Sequence, residues 1–194
     1  MRFFLILFLF LSYNLFARER ESHFGIDGGY AFLDIGATET AQRIANLSGS
    51  TVTVSYDEGA WVGRIYGDYS FSDTTLLEVG FFVSGEVNAK YTLSGATASE
   101  AYTATGIDFS GVFKDSSGFF GKIGMHSSEV DGKANITISG TTYAAQASSS
   151  GSGFLFGIGM DDDINGSRFG YTYYANLGGV SDADAGFLYY GFRF

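Results

Sequence analysis

Along most of the chain, apolar and polar positions alternate with period two, the signature of a strand whose two faces meet different surroundings. Trp61, Ile65, Tyr69 and Phe71 share one face with Gly63 and Gly67, while Val62, Arg64, Tyr66, Asp68 and Ser70 share the other. Leu77, Val79, Phe81 and Val83 alternate with Glu78, Gly80, Phe82, Ser84 and Glu86. Ile107, Phe109 and Phe113 oppose Asp108, Ser110 and Val112, and Phe119, Ile123 and Met125 oppose Phe120, Lys122, Gly124 and His126. The pattern returns over 154–160, 169–173 and 188–194, and it starts over 24–35. These segments predict eight strands. No window beyond the N-terminus spaces its apolar residues as a helix does, so no helix is expected.

The connections alternate as regularly as the side chains. Ser72-Asp73-Thr74, Lys114-Asp115-Ser116-Ser117 and residues 162–166 read as tight polar turns, whereas 36–59, 91–101, 128–150 and 178–185 are longer and rich in Gly, Ser, Thr and Ala. Short turns at one end and long loops at the other describe an up-and-down antiparallel meander. A soluble sandwich or lipocalin-like barrel would bury the apolar face, and a membrane barrel would turn it to lipid. Three features favour the membrane barrel. Aromatics gather near strand ends (Trp61, Tyr69, Phe71, Phe113, Phe119, Phe169), as interfacial girdles require. Glycines recur on the polar face (Gly25, Gly29, Gly80, Gly124, Gly159, Gly191), where a narrow lumen has room for few large groups. The last strand runs to Phe192 and Phe194 and is expected to close the ring on the first. The expected fold is therefore all-β, an eight-stranded antiparallel up-and-down transmembrane β-barrel.

Gly67-Asp68-Tyr69-Ser70-Phe71 followed by Leu77-Glu78-Val79-Gly80, then Phe120-Gly121-Lys122-Ile123-Gly124, and the end Tyr189-Tyr190-Gly191-Phe192-Arg193-Phe194 together resemble the eight-stranded outer membrane barrels of Gram-negative bacteria, such as the OmpA membrane domain and OmpX. The resemblance covers nearly the whole chain beyond residue 17. It implies a monomer in the outer membrane, in contact with lipid and lipopolysaccharide. Tyr190, Phe192 and Phe194 then resemble the C-terminal signal read by the outer membrane insertion machinery, although the glycine common in that signal is replaced by Tyr189. No peptidoglycan-binding domain is expected after Phe194. The implied role is structural and interactive: envelope integrity, with loops displayed for adhesin-like contact with an extracellular protein.

Composition sharpens the picture. The 194 residues include 28 glycines and 34 aromatics, with no proline and no cysteine, which suits strands whose backbone N–H groups almost all join a closed ladder. Without cysteine there is no disulfide, thiolate metal site or lipidated thiol, and His23 and His126 are the two histidines, so no cofactor or metal is expected. A net charge of -10 argues against nucleic acid as a partner. Residues 1–17, with Arg2 before an apolar run that ends at Ala17, read as a signal peptide for export, leaving 18–194 as the barrel domain.

The chemistry then narrows to the lumen and one histidine. By parity Asp27, Arg64, Asp68, Glu78, Glu86, Asp108, Lys122, Asp161, Arg168 and Arg193 point inward, where they are expected to form a polar plug. The expected partners are Asp161 with Arg168, Lys122 with Asp108, and Asp27 with Arg193. The same charges could instead line a small passive diffusion pore. Asp161-x-Asp163-x-Asn165-Gly166 imitates a calcium loop but has Thr172 where the closing acid belongs, and reads as a turn. His126, Ser128 and Glu129 resemble the residues of lipid A-deacylating barrels, and a histidine base beside a serine suits hydrolysis. Parity, however, turns His126 inward and Glu129 to the opposite face, so no enzyme is expected. Residues 51–56 and 135–139 also alternate and read as strands continuing above the membrane, with an open edge for a partner.

Overall fold

The computed structural model describes residues 22–34, 36–162, 166–180 and 183–194; the expected leader, Ile35 and the turn residues Asp163 and Asn165 lie outside the described residues. In chain order the elements are β1 (Ser22–Leu33), α1 (Ala37–Ser48), β2 (Thr53–Tyr56), β3 (Gly59–Ser72), β4 (Thr75–Ser84), β5 (Val87–Leu93), β6 (Ala96–Lys114), β7 (Phe119–Ile138), β8 (Thr141–Asp162), β9 (Ser167–Tyr174), a short 3-10 turn (Leu177–Gly179) and β10 (Ala185–Arg193).

Eight of these strands close on themselves in the order β1-β3-β4-β6-β7-β8-β9-β10, every neighbour antiparallel. β10 pairs with β1 through Ile26 and Phe192, and Phe24 and Phe194 exchange backbone hydrogen bonds of 3.1 and 2.7 Å at the seam. Closure leaves the ring-forming parts of these strands no free edge, the condition for β-structure in lipid. The outward row carries the apolar residues expected there: Ile65, Phe81, Ile107, Ile123, Phe156 and Tyr190 are each about half exposed or more, forming a belt round the ring. Tight turns and the described chain ends lie at one rim, which corresponds to the periplasmic side of such barrels, and the longer segments rise from the other.

Two differences from the sequence reading have physical causes. The first is α1, where no helix was expected. Its buried stripe is Ala37 and Ala41, with Ile44 half-buried. Alanines at helical spacing are too small to register as an apolar period. The helix stops at Gly49, whose left-handed φ of 63° lets its N–H reach the Ala45 carbonyl. The second is Glu86, expected to point inward but in fact exposed. β4 ends at Ser84 and β5 begins at Val87, both buried, so the step through Gly85 and Glu86 shifts the inward parity by one residue. The Gly85 N–H bonds the Trp61 carbonyl at 2.7 Å, fixing that step.

β5 leaves the ring at this point. β4 pairs with β6 from Thr105 to Phe113, whereas β5 pairs with its upper part, Ala96 to Tyr102, and β2 adds outside β5. With β7 and β8, which stay paired to their tip at Ile138 and Thr141, these strands raise a five-stranded sheet above the ring. The tip is a two-residue turn with Ser139 and Gly140 both at positive φ (50° and 83°), the type that matches hairpin twist.

Candidate functional site in the lumen and the outer sheet

The centre of the lumen is built on Arg64 of β3. Its guanidinium holds Asp108 through two bonds, Nε to Oδ2 at 2.8 Å and Nη2 to Oδ1 at 2.7 Å. It also donates to Asp27 at 3.1 Å and to Glu78 at 2.8 Å. Glu78 in turn accepts from Lys122 (3.0 Å) and Arg168 (2.5 Å), and Tyr174 donates to Asp108 at 2.9 Å. All of these side chains are buried. Three carboxylates face three cations, so the desolvated charges compensate one another. Arg168 lies over the Phe120 and Tyr66 rings at 4.4 and 4.9 Å, and Arg64 lies over Tyr66 at 4.9 Å. Gly80 makes room for this arrangement: a Cβ there would fall 2.4 Å from Arg64 Nη2.

A second cluster sits toward the lower rim. Asp161 faces Arg168 in the ladder and lies 3.4 Å from its Nε, with Lys114 at 3.7 Å and Arg193 at 3.3 Å. Asp68 lies 3.1 Å from His23 Nδ1. Two expected partners are therefore corrected. Arg193 reaches Asp161 rather than Asp27, which stands across from Gly191 and takes Arg64. Lys122 reaches Glu78 rather than Asp108. Lys114, assigned to a turn by the sequence reading, is buried and belongs to this cluster. Among the described residues, five acids (Asp27, Asp68, Glu78, Asp108, Asp161) and five bases (Arg64, Lys114, Lys122, Arg168, Arg193) thus balance in number inside the ring, with Asp68 set beside His23.

Above the charges, Phe82, Tyr174 and Phe187 stack with centroids 4.6 to 5.3 Å apart and fill the bore. Leu177 closes the top, carried in by the segment after β9. His126 and Ser128 hold that segment. His126 Nε2 donates to the Ala175 carbonyl at 2.8 Å, and Ser128 Oγ accepts the Gly178 N–H at 2.9 Å. Both side chains are buried on the inner face, while Glu129 is exposed and accepts from Ser148 at 2.6 Å. The three residues weighed for lipid hydrolysis are thus not brought together. Ser128→Ala is expected to leave the buried Gly178 amide without an acceptor, at a cost of about 1–3 kcal/mol. Hydrogen exchange checks this: the Gly178 amide should exchange faster while the amides of β7 and β8 at the belt stay protected.

The outer sheet has two unlike faces, and the register reads them off directly. One row runs Val54, Tyr91, Ala98, Ile136, Tyr143 across the five strands. The next row toward the ring is Tyr56, Ala89, Glu100, Ala134, Ala145. The opposite face carries five threonines in one row, Thr53, Thr92, Thr97, Thr137 and Thr142, and beside it Ser55, Lys90, Ser99, Asn135 and Ala144. α1 packs Ala37, Ala41 and Ile44 on the apolar face over Ala89, Tyr91 and Ala98. Glu100, the charged member of that face, accepts from the hydroxyls of Tyr91 (3.0 Å) and Tyr102 (3.1 Å). Burial and then the Glu100 charge push the Tyr102 hydroxyl up to about 12, so it remains a donor at neutral pH.

No family model matches the chain, and no curated protein matches it in sequence. Among solved structures it is similar to Ail, the attachment invasion locus protein of Yersinia pestis, in complex with the heparin analogue sucrose octasulfate. The TM-score is 0.50 at 15% identity, covering 90% of this chain and 99% of that one. OprG from Pseudomonas aeruginosa (TM-score 0.45, 14% identity, 90% and 97% covered) and Neisserial surface protein A (0.40, 16%, 91% and 98%) are further matches. At such identity the likeness to Ail is one of fold. The closed ring, its outward apolar belt and its likeness to Ail agree on one architecture, and the chain has the fold of the eight-stranded outer membrane β-barrels.

Proposed function

We propose that this chain is a non-enzymatic outer membrane barrel whose lumen is a structural plug and whose working surface is the sheet raised above the membrane. In this reading it contributes to envelope integrity and contacts an extracellular partner in the manner of an adhesin. One observation carries the proposal: a buried charge network and, above it, an aromatic layer occupy the bore. The gap beside Asp27, Arg64 and Tyr189 measures about 10 Å³, room for one water molecule at most. Purified protein in planar bilayers is expected to give no sustained conductance; a steady open level would replace the plug with a diffusion pore. Lipid A incubated with the protein should keep its acyl chains, and their loss with wild type but not with His126→Ala would restore the hydrolase reading.

The remaining assignments belong to the same proposal. Residues 1–17 serve export. Tyr190, Phe192 and Phe194, all on the lipid-facing row, serve recognition by the insertion machinery. The belt contacts lipid and lipopolysaccharide, and the barrel works as a monomer. Ail is bound to a sulfated heparin analogue, but charge argues for a different partner here. The described parts of 34–58, 85–104, 128–152 and 175–184 carry nine acidic side chains against Arg43, Lys90 and Lys133. Such a surface repels sulfated chains and favours basic ones.

A further inference from the structure

The apolar face of the outer sheet is only half covered. α1 lies over β2, β5 and the near side of β6, burying Ala89 and Tyr91. Beyond it, on β7 and β8, Ile136, Ile138 and Tyr143 continue the same face at 45%, 50% and 62% exposure, with Ala145 and Ala147 also exposed. Exposed isoleucines and a tyrosine in one patch, on a sheet whose other face is mainly threonine, serine, asparagine and lysine, mark a surface made to be covered.

The dimensions specify what covers it. Strands lie about 4.8 Å apart, so β7 and β8 leave a bare width of about 10 Å, that of one helix beside α1. From half-buried Val130 at its foot to Ile138 at its tip the strip is about 26 Å long, the length of a helix of about 18 residues. At its foot a cavity of about 520 Å³ opens between Thr40 and Arg43 of α1, Tyr102 and Val130 of the sheet, and Leu177 of the cap. That cavity continues the α1–sheet interface down to the Leu177 cap, and Asp34, Glu39 and Asp184 stand on its lining. An added strand would instead bind the β8 edge and leave this face bare.

We infer that the bare half of the sheet receives an amphipathic helix of a partner protein, apolar toward Ile136 and Tyr143 and basic elsewhere, seated alongside α1. The inference rests on the display role proposed above and gives that partner its chemistry. The acidic surroundings supply the long-range attraction, and the apolar strip between α1 and the β8 edge supplies the contact area.

The test uses the full chain in phosphatidylcholine nanodiscs and a fluorescent synthetic peptide of about 18 residues, leucine and alanine on one stripe and lysine on the rest. Anisotropy should show binding above that of empty nanodiscs, and circular dichroism should show the peptide becoming helical. Ile136→Lys and Tyr143→Lys, each checked for folding by heat-modifiable migration, should each weaken binding about tenfold. Thr137→Lys, on the threonine face of the same strand, should change it by less than about twofold. The inference is overturned by no excess binding, by an equal effect of Thr137→Lys, or by equal binding of a glutamate version of the peptide. It is also overturned if sedimentation shows a dimer that Ile136→Lys dissolves, because a second copy would then be the occupant. Bilayer conductance decides the plug separately, so failure here leaves that result standing.

Discussion

Arg64→Met is expected to destabilise the folded barrel by about 3–5 kcal/mol, the usual cost of removing one partner from a buried ionic group. Arg64 is the residue on which three carboxylates converge, through four hydrogen bonds of 2.7 to 3.1 Å. Methionine fills much of the same space but leaves Asp27, Glu78 and Asp108 with Lys122 and Arg168 as the remaining cations of the central group. Asp108 loses both of its guanidinium bonds and keeps Tyr174. Urea titration in lipid vesicles, following the heat-modifiable folded band, measures the loss. Adding Asp108→Asn to Arg64→Met should recover part of it, since the amide needs no counter-charge. If the single variant is as stable as the native chain, the network does not hold the barrel together.

The second large effect belongs to the opposite face of the wall. Ile123 of β7 is 63% exposed, midway up the belt between Phe119 and Ser127. Ile123→Arg is expected to cost about 2–4 kcal/mol in a bilayer, because a guanidinium at the midplane cannot reach water without distorting the lipid. Ser127→Arg lies two outward positions higher on the same strand and should cost about 0–1 kcal/mol. The comparison tests depth, since strand, face and introduced residue are the same. Equal costs for the two variants would mean that the belt does not sit in lipid as its composition indicates.

These expectations show which parts of the molecule were legible in the sequence. Strand parity was readable because lipid and lumen impose opposite demands on alternate residues, so Ile123 and Lys122 could be assigned to opposite faces with no structure in hand. Asp161 opposite Arg168 was readable because a tight turn fixes the ladder register on either side of it. Asp27 with Arg64 lies across the β1–β3 ladder, but a long connection separates those strands and left the register unread. Still other partners were hidden because long side chains reach across the bore to strands that are not neighbours. Arg64 on β3 meets Asp108 on β6, and Glu78 on β4 meets Arg168 on β9. Period two says which way a side chain points and nothing about what lies across an eight-stranded circle. Glu86 was misplaced because parity was carried through a step at Gly85 that has no strand geometry. α1 escaped because its contact stripe is alanine. The amphipathic outer sheet was partly visible in the alternation of 51–56 and 135–139, but its uncovered half needed the register of five strands.

The balanced lumen has a consequence for how the barrel reaches the membrane. Among the described residues, five acids and five bases balance inside the ring, so that region can enter the bilayer as a neutral body without carrying counter-ions along. The acidic excess of the described upper segments, nine against three, has no such balance and must pass through the hydrocarbon layer to reach the far side. Assembly therefore carries its electrostatic barrier in the loops, where translocation would quicken as their carboxylates are neutralised, while the wall and its contents move at little electrostatic cost.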